Sequence, residues 1–312
     1  MQPTVLITSE NFGRFSREGR HVLETAGLRV IDNPYGHTFL HREQILPFAG
    51  EADGIICDME KIDREVIDAA PRLKIIARRG VGIDSVDWRY AQSRGIEVAR
   101  TTGVVEKPVA ELVMGYILEF SRNIAAMSAA MHAGRWERIP SSSVEGRVLG
   151  IVGMGNIAWE VARRAAAFDM RILYYSHRRN ERAEAAFGAQ YAPLETLLQE
   201  ADFVSLHVPL TEETRHMIDA RAIARMKAGA YLINTARGAV VDEQALADAL
   251  RAGKLGGAAV DVFDGEPCVD SPLRGMERAI LTPHIGTYTQ EVYIRMDVEA
   301  ARNVARCLAG RS

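Results

Sequence analysis

The regular alternation of short β-type segments with helical segments most constrains how this chain can fold. Repeated βα units favour parallel strands covered by helices on both faces, which is the α/β class. In the first third, the pattern predicts strands at Val5–Thr8, Leu28–Ile31, Gly54–Cys57, Leu73–Ala77 and Ile96–Ala99, with helices at Phe15–Ala26, Arg64–Ala70 and Ser85–Arg94. From Arg147 onward, it predicts strands at Val148–Val152, Arg171–Tyr175, Phe203–Leu206, Tyr231–Asn234, Gly257–Val262 and Ala279–Leu281.

One long helical segment, Glu106–Gly134, separates the two series of βα units, and Tyr288–Gly310 is predicted to be the last helix. The chain has 312 residues, which suggests about two domains. Because the last helix follows the second series, it could return to the first domain and make that domain discontinuous. A membrane helix at Glu106–Gly134 is disfavoured, since Glu111, Glu119 and Arg122 interrupt it.

Composition excludes several classes of protein. The net charge is −3, with 47% apolar and 25% charged residues, so a nucleic-acid-binding or membrane-surface protein is not indicated. Cys57, Cys268 and Cys307 are far apart and form no paired motif, which argues against both a disulfide framework and a metal site of paired cysteines. The N-terminus does not resemble a signal peptide, and we expect a reducing, cytoplasmic location.

A glycine-rich loop begins the second series. The segment Val148–Ala158 matches G-x-G-x-x-A, with Gly153, Gly155 and Ala158 at the three defining positions. The first glycine permits a tight turn, the second lets a pyrophosphate approach the backbone, and the alanine keeps the helix close to the strand. The free N–H groups at the helix N-terminus favour an anion. We therefore predict a dinucleotide site. The loop residues assigned to it are Gly153, Met154, Gly155, Asn156 and Ile157.

The end of the next strand bears on which dinucleotide binds. An NAD site usually carries Asp or Glu there to bind the ribose hydroxyls. Here the strand leads into Ser176-His177-Arg178-Arg179, which has no carboxylate. Serine and arginine can bind the extra phosphate of NADP, which a carboxylate would repel. We assign Ser176, His177 and Arg178 to the cofactor site and favour NADP over NAD, while a solvated helix start remains the alternative.

Three polar residues follow predicted strands of the second series. Arg237 can hold a carboxylate through its planar guanidinium, and His284 carries an imidazole, the usual proton donor and acceptor in such reactions. Glu266 can orient the second ring nitrogen of that histidine. Since the carboxyl ends of parallel strands line the ligand crevice, we predict that these residues form a catalytic set for hydride transfer at an alcohol carbon.

At this point the chain resembles the D-isomer-specific 2-hydroxyacid dehydrogenase family, which includes phosphoglycerate dehydrogenase and glyoxylate/hydroxypyruvate reductases. The resemblance covers nearly the whole chain. Besides the glycine loop, its motifs are Arg78–Asp84, Val109–Leu112, Ser205–Thr211, Asn234–Gly238, Val260–Phe263 with Glu266-Pro267, and Pro283–Gly286.

The resemblance implies two Rossmann-like domains with parallel sheets around a cleft. The substrate domain would be discontinuous, comprising residues 1–101 and 287–312, and the NAD(P)-binding domain would comprise residues 102–286. It implies the catalytic roles of Arg237, Glu266 and His284, and a homodimer formed largely through the cofactor domain. It also implies backbone contacts from Val81 and Gly82 to the substrate carboxylate. Further residues assigned to cofactor contact are His207, Val208, Pro209, Thr214, Thr235, Ala236, Asp261 and Gly286.

One departure from the family pattern and two rival functions remain open. Arg100–Gly103 replaces the Asn-x-Pro-Gly that often precedes the long helix, with a consequence either for the hinge or for the cofactor edge. A formate dehydrogenase is expected to carry Gln where this chain has Glu266. A dinucleotide-sensing corepressor of the same fold is the alternative to an enzyme, and a His284→Ala variant would distinguish them.

The sequence leaves the substrate undecided. Arg78 and Arg79 lie beside the proposed carboxylate-binding loop, where either could hold a second anionic group such as a phosphate. The alternative is that Arg79 faces solvent or pairs with a local acid. A phosphate ligand would favour a phosphoglycerate dehydrogenase, whereas an NADP site would favour a glyoxylate or hydroxypyruvate reductase. The physiological direction of the reaction also stays open.

Overall fold

A computed structural model describes residues 2–309 and divides the chain into two compact units. One unit runs to Val105 and resumes at Thr287, and the other comprises Glu106–Gly286. The sequence placed the first boundary at 101/102, a few residues earlier. Both units have parallel sheets, so the predicted α/β class is confirmed. Whether the discontinuous unit is the substrate domain stays a prediction at this stage.

The first unit contains a five-stranded parallel sheet. Its strand order is β2-β1-β3-β4-β5, so the direction of winding reverses between β1 and β3. The strands are β1 (Thr4–Ile7), β2 (Arg29–Ile31), β3 (Gly54–Cys57), β4 (Ile75–Arg78) and β5 (Glu97–Arg100). The helices are α1 (Glu18–Thr25), α2 (Arg42–Ala49), α3 (Arg64–Asp68), α4 (Trp88–Ser93) and, after the second unit, α12 (Gln290–Ala309).

Helix α12 explains why this unit is discontinuous. Its apolar face includes Ala300, Ala301, Val304 and Leu308, which pack with buried residues of the sheet such as Ile56. Helix α12 therefore completes a hydrophobic core whose other members come from the N-terminal part of the chain. The predicted helix Tyr288–Gly310 starts two residues later than expected, at Gln290, and Gly310 lies outside the described residues.

The second unit contains a seven-stranded parallel sheet in the order β12-β11-β10-β9-β6-β7-β8. Its strands are β6 (Val148–Val152), β7 (Arg171–Tyr175), β8 (Gln190–Tyr191), β9 (Phe203–Leu206), β10 (Tyr231–Asn234), β11 (Gly257–Val260) and β12 (Ala279–Leu281). Its helices are α5 (Glu106–Arg122), α6 (Ile124–His132), α7 (Asn156–Ala167), α8 (Glu181–Phe187), α9 (Leu194–Glu200), α10 (Ala220–Arg225) and α11 (Glu243–Arg251), with one 3₁₀ turn at Gly238–Val240. The chain reverses its winding between β6 and β9, and ligands bind at such a switch point in open α/β sheets.

The prediction of one helix over Glu106–Gly134 was wrong. Asn123 adopts a left-handed conformation (φ 51°, ψ 42°) and separates α5 from α6. The amide of Ala125 donates to the Glu119 carboxylate at 3.0 Å, which satisfies an N–H group at the start of the second helix. The apolar composition favoured helix on both sides of Asn123 but did not reveal the break.

Among the described residues, the three cysteines are free thiols. Within the same range, no helix combines the length and apolar character needed to cross a bilayer. The cytoplasmic location itself stays a prediction.

Candidate active site

The sheet order of the second unit brings the predicted site residues to one edge. His284, Glu266 and Arg237 follow the neighbouring strands β12, β11 and β10. The next strands along the sheet, β9, β6 and β7, lead to His207, Gly153 and Ser176 respectively. All these strands are parallel, so their carboxyl ends lie on the same side of the sheet. Residues spread over more than 130 positions of the sequence are thereby aligned along one crevice edge.

His284 and Glu266 are in direct contact. Nδ1 of His284 lies 2.6 Å from Oε2 of Glu266, and the other carboxylate oxygen accepts the amide of Phe263 at 2.8 Å. Burial tends to raise the pKa of Glu266, but the hydrogen bond and charge of His284, the Phe263 amide and the charge of Arg237 together hold it below its usual value. The carboxylate is therefore ionised at neutral pH. It leaves Nε2 of His284 as the ring nitrogen available to a substrate.

The loop that carries Arg237 packs very closely on the loop that carries Glu266. A Cβ atom at Gly238 would lie 2.0 Å from the carbonyl carbon of Phe263, so only glycine fits at this position. Nη1 of Arg237 donates to the carbonyl of Ala236 at 2.6 Å, and Asn234 holds the turn by donating to the carbonyl of Arg237 at 2.9 Å. These contacts bring a half-buried guanidinium next to the His-Glu pair.

Asp261 supports the loop that carries His284. One carboxylate oxygen accepts the hydroxyl of Thr282 (2.6 Å) and the amide of Ile285 (2.8 Å), and the other accepts the amide of Gly286 (2.9 Å). Burial raises the pKa of Asp261, and these donors together with the charge of His284 oppose that rise. Both Asp261 and Gly286 are buried and are bonded to each other. Their assignment to cofactor contact stays a prediction.

The glycine loop has the shape that a dinucleotide requires. Gly153 has φ 94°, and a Cβ there would lie 2.8 Å from the carbonyl oxygen of His207. At Gly155 a Cβ would meet no atom within 4 Å, which leaves open space in front of the N-terminus of α7. The next strand end, Ser176–Arg178, has no carboxylate. These residues fit the pyrophosphate and ribose of a nicotinamide dinucleotide.

The other predicted cofactor residues lie at the same sheet edge but differ in whether their polar groups are already hydrogen-bonded within the protein. Within the described part of the chain, the buried hydroxyl of Thr235 has no hydrogen-bond partner, as expected for a group that meets a ligand. Thr214 is buried instead, and its hydroxyl donates to the carbonyl of Pro209 at 2.6 Å. The amide of Ala236 is already bonded to Asn234. Thr214 and Ala236 therefore shape the loops around His207–Pro209 and Arg237.

The structure corrects the expectation for Arg79. This residue is 1% exposed, and its guanidinium pairs with Asp297 at 2.6 Å and with Asp58. It also donates to Ser9 at 3.0 Å and lies over the Tyr293 ring, 5.0 Å from the centroid. Pairing with local acids was the alternative that the sequence left open. With two carboxylates already bound, Arg79 is a poor ligand for a substrate phosphate.

The neighbouring segment Gly80–Gly82 offers backbone donors. Thr101, which belongs to the unusual segment Arg100–Gly103, binds Gly80 from both sides, because its hydroxyl accepts the Gly80 amide at 2.6 Å and its own amide donates to the Gly80 carbonyl at 3.0 Å. Among the described residues, the amides of Val81 and Gly82 have no acceptor. Arg78 folds over Gly80 and donates to the carbonyl of Arg79.

Comparison with known proteins decides the family. The sequence model described as "D-isomer specific 2-hydroxyacid dehydrogenase, NAD binding domain" matches residues 114–286, more than half of the chain. The chain is 44% identical to the glyoxylate reductase of Korarchaeum cryptofilum, over 78% of this chain and 76% of that protein. This chain belongs to the D-isomer-specific 2-hydroxyacid dehydrogenase family.

Two further relatives are similar to this chain over most of its length. The hydroxypyruvate reductase of Thermotoga maritima is 39% identical over 85% of this chain and 88% of its own length. The D-3-phosphoglycerate dehydrogenase of Mycobacterium leprae is also 39% identical, over 91% of this chain but only 53% of that longer protein.

Solved structures agree with the family assignment. A glyoxylate reductase from Paecilomyes thermophila has a TM-score of 0.87 at 32% identity, covering 98% of this chain and 95% of that one. An NADPH-dependent glyoxylate/hydroxypyruvate reductase from Sinorhizobium meliloti, in complex with NADP and malonate, has a TM-score of 0.83 at 28% identity, covering 98% and 93%. As a member of this family, the chain is an NAD(P)-dependent oxidoreductase that transfers hydride between the nicotinamide and C2 of a small 2-hydroxy or 2-oxo acid.

Proposed function

We propose that this family member is a reductase of small 2-oxo acids that forms D-2-hydroxy acids, acting on glyoxylate or hydroxypyruvate with NADPH, and that Arg237, Glu266 and His284 are its catalytic residues. The 2.6 Å contact between His284 and Glu266, beside Arg237 at the carboxyl edge of the sheet, is the observation that carries the proposal. The reductases among its relatives support the substrate class.

Each residue has a role that follows from its contacts. When bound, the dinucleotide supplies the hydride that reaches C2 of the substrate. Protonated His284 donates from Nε2 to the carbonyl oxygen of C2, and in the reverse direction it accepts the hydroxyl proton. Glu266 stabilises the imidazolium through Nδ1 and holds the ring in orientation. Arg237 binds the C1 carboxylate through its guanidinium. In the first unit, the amides of Val81 and Gly82, which have no acceptor among the described residues, are candidate donors to a substrate carboxylate.

The choice between a glyoxylate or hydroxypyruvate reductase and a phosphoglycerate dehydrogenase rests on the arginine pair. Because Arg79 is bound by Asp58 and Asp297, Arg78 is the one member of the pair that is left as a candidate phosphate ligand. A phosphate with two negative charges is better held by two cations than by one. This favours an unphosphorylated substrate, and with it the reductases over phosphoglycerate dehydrogenase.

A substrate panel tests the proposal. Glyoxylate, hydroxypyruvate, 3-phosphohydroxypyruvate and pyruvate should each be assayed with NADH and with NADPH, and the product from hydroxypyruvate should be resolved by chirality. We expect the highest kcat/KM with glyoxylate or hydroxypyruvate and a D-product. A preference for the phosphorylated acid or an L-product contradicts it. A His284→Ala variant should bind dinucleotide with little turnover, whereas a corepressor-type binding protein would keep its function.

The preference for NADPH depends on Arg178. Arg178 and Arg179 are both exposed, but Arg179 is paired with Glu184 at 2.8 Å, while no ion pair of Arg178 is found in the described part of the chain. Arg178→Ala should raise the KM for NADPH about tenfold, as expected from the loss of one charge-assisted hydrogen bond, and leave the KM for NADH unchanged. Arg179→Ala is the matched control with a smaller effect. Equal KM values for NADPH in wild type and Arg178→Ala would contradict the assignment.

We also propose a homodimer formed through α6 and the segment that follows it. Ile124, Met131 and Trp136 are 58%, 51% and 76% exposed, so three large apolar side chains of this segment face solvent in the single subunit. A second copy of the chain would cover them by isologous packing. Sedimentation analysis should give a dimer for the wild type and a monomer for an Ile124→Glu/Trp136→Glu variant. A monomeric wild type contradicts this proposal without affecting the proposed chemistry.

A further inference from the structure

A continuous line of hydrogen bonds runs from the middle of α5 to the backbone beside His284. The hydroxyl of Tyr116 lies 2.5 Å from that of Thr282, and Thr282 donates to Oδ1 of Asp261 at 2.6 Å. Asp261 then accepts the amides of Ile285 and Gly286. Every member belongs to the second unit, and Tyr116 and Asp261 are 4% and 1% exposed. Because Tyr116 and Asp261 are buried, a bond that either of them loses is not readily replaced by water.

Which hydroxyl donates in each hydrogen bond of this line follows from the carboxylate of Asp261 at its end. An ionised carboxylate can only accept hydrogen bonds, so the Thr282 hydroxyl donates to Asp261, as the amides of Ile285 and Gly286 do. The single proton of the Thr282 hydroxyl is thus directed to Asp261. Tyr116 must then be the donor to Thr282. Burial raises the pKa of Tyr116 to a value far above neutrality, so its hydroxyl keeps its proton.

The backbone at His284 needs this support. His284 has φ 53°, the left-handed region, which side-chain-bearing residues seldom adopt and which is held only by surrounding contacts. Its own amide donates to the carbonyls of Asp261 and Thr282, at 2.9 and 3.0 Å, while the Asp261 side chain holds the next two amides. Asp261 and Thr282 therefore fix the backbone amide of His284 through their carbonyls, and the Asp261 carboxylate fixes the two amides that follow it.

We propose that Tyr116 and Thr282 are positioning residues for His284, acting through Asp261 to fix the left-handed turn that presents the imidazole to Glu266 and to the substrate. The proposal rests on the proposed role of His284 as proton donor. Neither residue touches the imidazole. They keep the turn in the one conformation in which Nδ1 lies 2.6 Å from Glu266, and small displacements of a catalytic group are costly to kcat.

The two hydroxyls should not be equally important. Thr282→Val removes one of the three donors to Asp261 and also leaves the buried Tyr116 hydroxyl without its acceptor. Tyr116→Phe removes only a donor to Thr282, whose bond to Asp261 can persist. Because the two act in series, the double variant should behave like Thr282→Val alone rather than as the product of the two single effects.

The test combines four variants with one control. We expect kcat to fall about 30-fold in Thr282→Val and about 5-fold in Tyr116→Phe, with the Kd for the dinucleotide within twofold of wild type. Thr282→Ser, which retains the hydroxyl, should restore most of the activity. Tyr90→Phe is the matched control, since it removes a tyrosine hydroxyl that donates to a carboxylate, Asp68, at 2.6 Å on the surface of the first unit.

A readout that does not depend on turnover accompanies the kinetics. In the cofactor-free protein, the amides of Ile285 and Gly286 should exchange hydrogen at least tenfold faster in Thr282→Val than in wild type. Unchanged kcat and unchanged exchange at these two amides would overturn the proposal, as would a general loss of thermal stability with kcat retained. If instead the wild type reduces no 2-oxo acid while the exchange difference is present, the proposed function fails and the positioning of the turn stands.

Discussion

His284 acts within a pair whose electrostatics can be tested directly. Glu266 is half-buried, which would by itself favour its neutral form, yet His284 and Arg237 hold its pKa below the usual value. A Gln at this position keeps the shape but loses the charge that stabilises an imidazolium. We expect Glu266→Gln to lower kcat about 100-fold at pH 7, within the range for a general acid–base partner. Asp264→Asn, in the same loop but exposed, is the control for steady-state kinetics.

The same substitution has a consequence for stability. A carboxylate with a depressed pKa stabilises the fold above its unfolded-state pKa, and this contribution is lost as the pH falls through the folded-state pKa. Urea midpoints measured from pH 6 to pH 3 should therefore decline less steeply in Glu266→Gln than in wild type. A steeper decline in the variant would contradict the depressed pKa of Glu266.

The pKa of His207 is shifted in the opposite direction to that of a histidine paired with a carboxylate. Burial lowers its pKa to about 4, and its ring accepts or donates one hydrogen bond, with Ser205 at 2.8 Å. The unfolded chain then binds a proton between pH 6.5 and about 4 that the folded chain does not. The stabilisation is complete above pH 6.5 and declines on acidification, by about 1.4 kcal/mol per pH unit at most.

Replacing His207 by Gln should remove that decline while keeping a hydrogen-bonding group next to Ser205. The measurement is the free energy of unfolding of the cofactor-free protein at pH 7, 6, 5 and 4. His132→Gln, which changes an exposed histidine, should retain the wild-type pH dependence. Parallel curves for wild type and His207→Gln would contradict the lowered pKa of His207 in the folded protein.

At the scale of residues, the sequence predicts positions better than partners. Arg237, Glu266 and His284 could be assigned to one edge because each follows a strand, and parallel strands share that edge. Arg79 could not be interpreted in this way. Its carboxylate partner Asp297 is 218 residues away, and nothing local distinguishes a buried, paired arginine from one that faces a ligand. The pair Tyr116–Thr282 was missed for the same reason, being 166 residues apart.

At the scale of elements, the two glycines of the cofactor loop should respond differently to the same change. Gly153→Ala introduces a Cβ within 2.9 Å of three atoms of His207 and Val208 and requires φ 94°. It should destabilise the protein by about 1–3 kcal/mol and abolish dinucleotide binding. Gly155→Ala meets no protein atom, so stability should be unchanged while the Kd for the dinucleotide rises. Thermal unfolding and fluorescence titration check both.

Strands were predicted more accurately than helices. Six of them, β3, β6, β7, β9, β10 and β12, have the predicted bounds, because buried parallel strands are short apolar segments with polar residues at both ends. The break between α5 and α6 was not predicted. It depends on one residue in a left-handed conformation, and Asn123 is also compatible with an uninterrupted helix.

At the scale of the whole molecule, an ion network around the buried Arg79 joins helix α12 to loops of the N-terminal part of the chain. Asp297 on α12 accepts Nε of Arg79 with one oxygen and the amide of Gly13 with the other, at 2.6 and 2.9 Å. Asp58 and Ser9, which follow β3 and β1, bind the same guanidinium. One arginine thus joins three loops of the sheet to the helix that returns from the end of the chain. The sequence predicts this return of the last helix, but not the contact that fixes it.

Removing that arginine should therefore weaken the first unit as a whole. Arg79→Met leaves the buried carboxylate of Asp297 and the partly buried carboxylate of Asp58 without a counter-charge, which costs about 3–5 kcal/mol, whereas Arg29→Met breaks an exposed pair with Glu51 and should cost less than about 1 kcal/mol. Hydrogen exchange followed strand by strand should locate the loss in β1 and β3 and leave β6 and β9 of the second unit protected. Arg79→Met leaves the charge of Asp297 uncompensated. A second change, Asp297→Asn, removes that charge and should recover part of the stability lost in Arg79→Met. If Arg79→Met is no less stable than Arg29→Met, the network does not hold the two chain ends together.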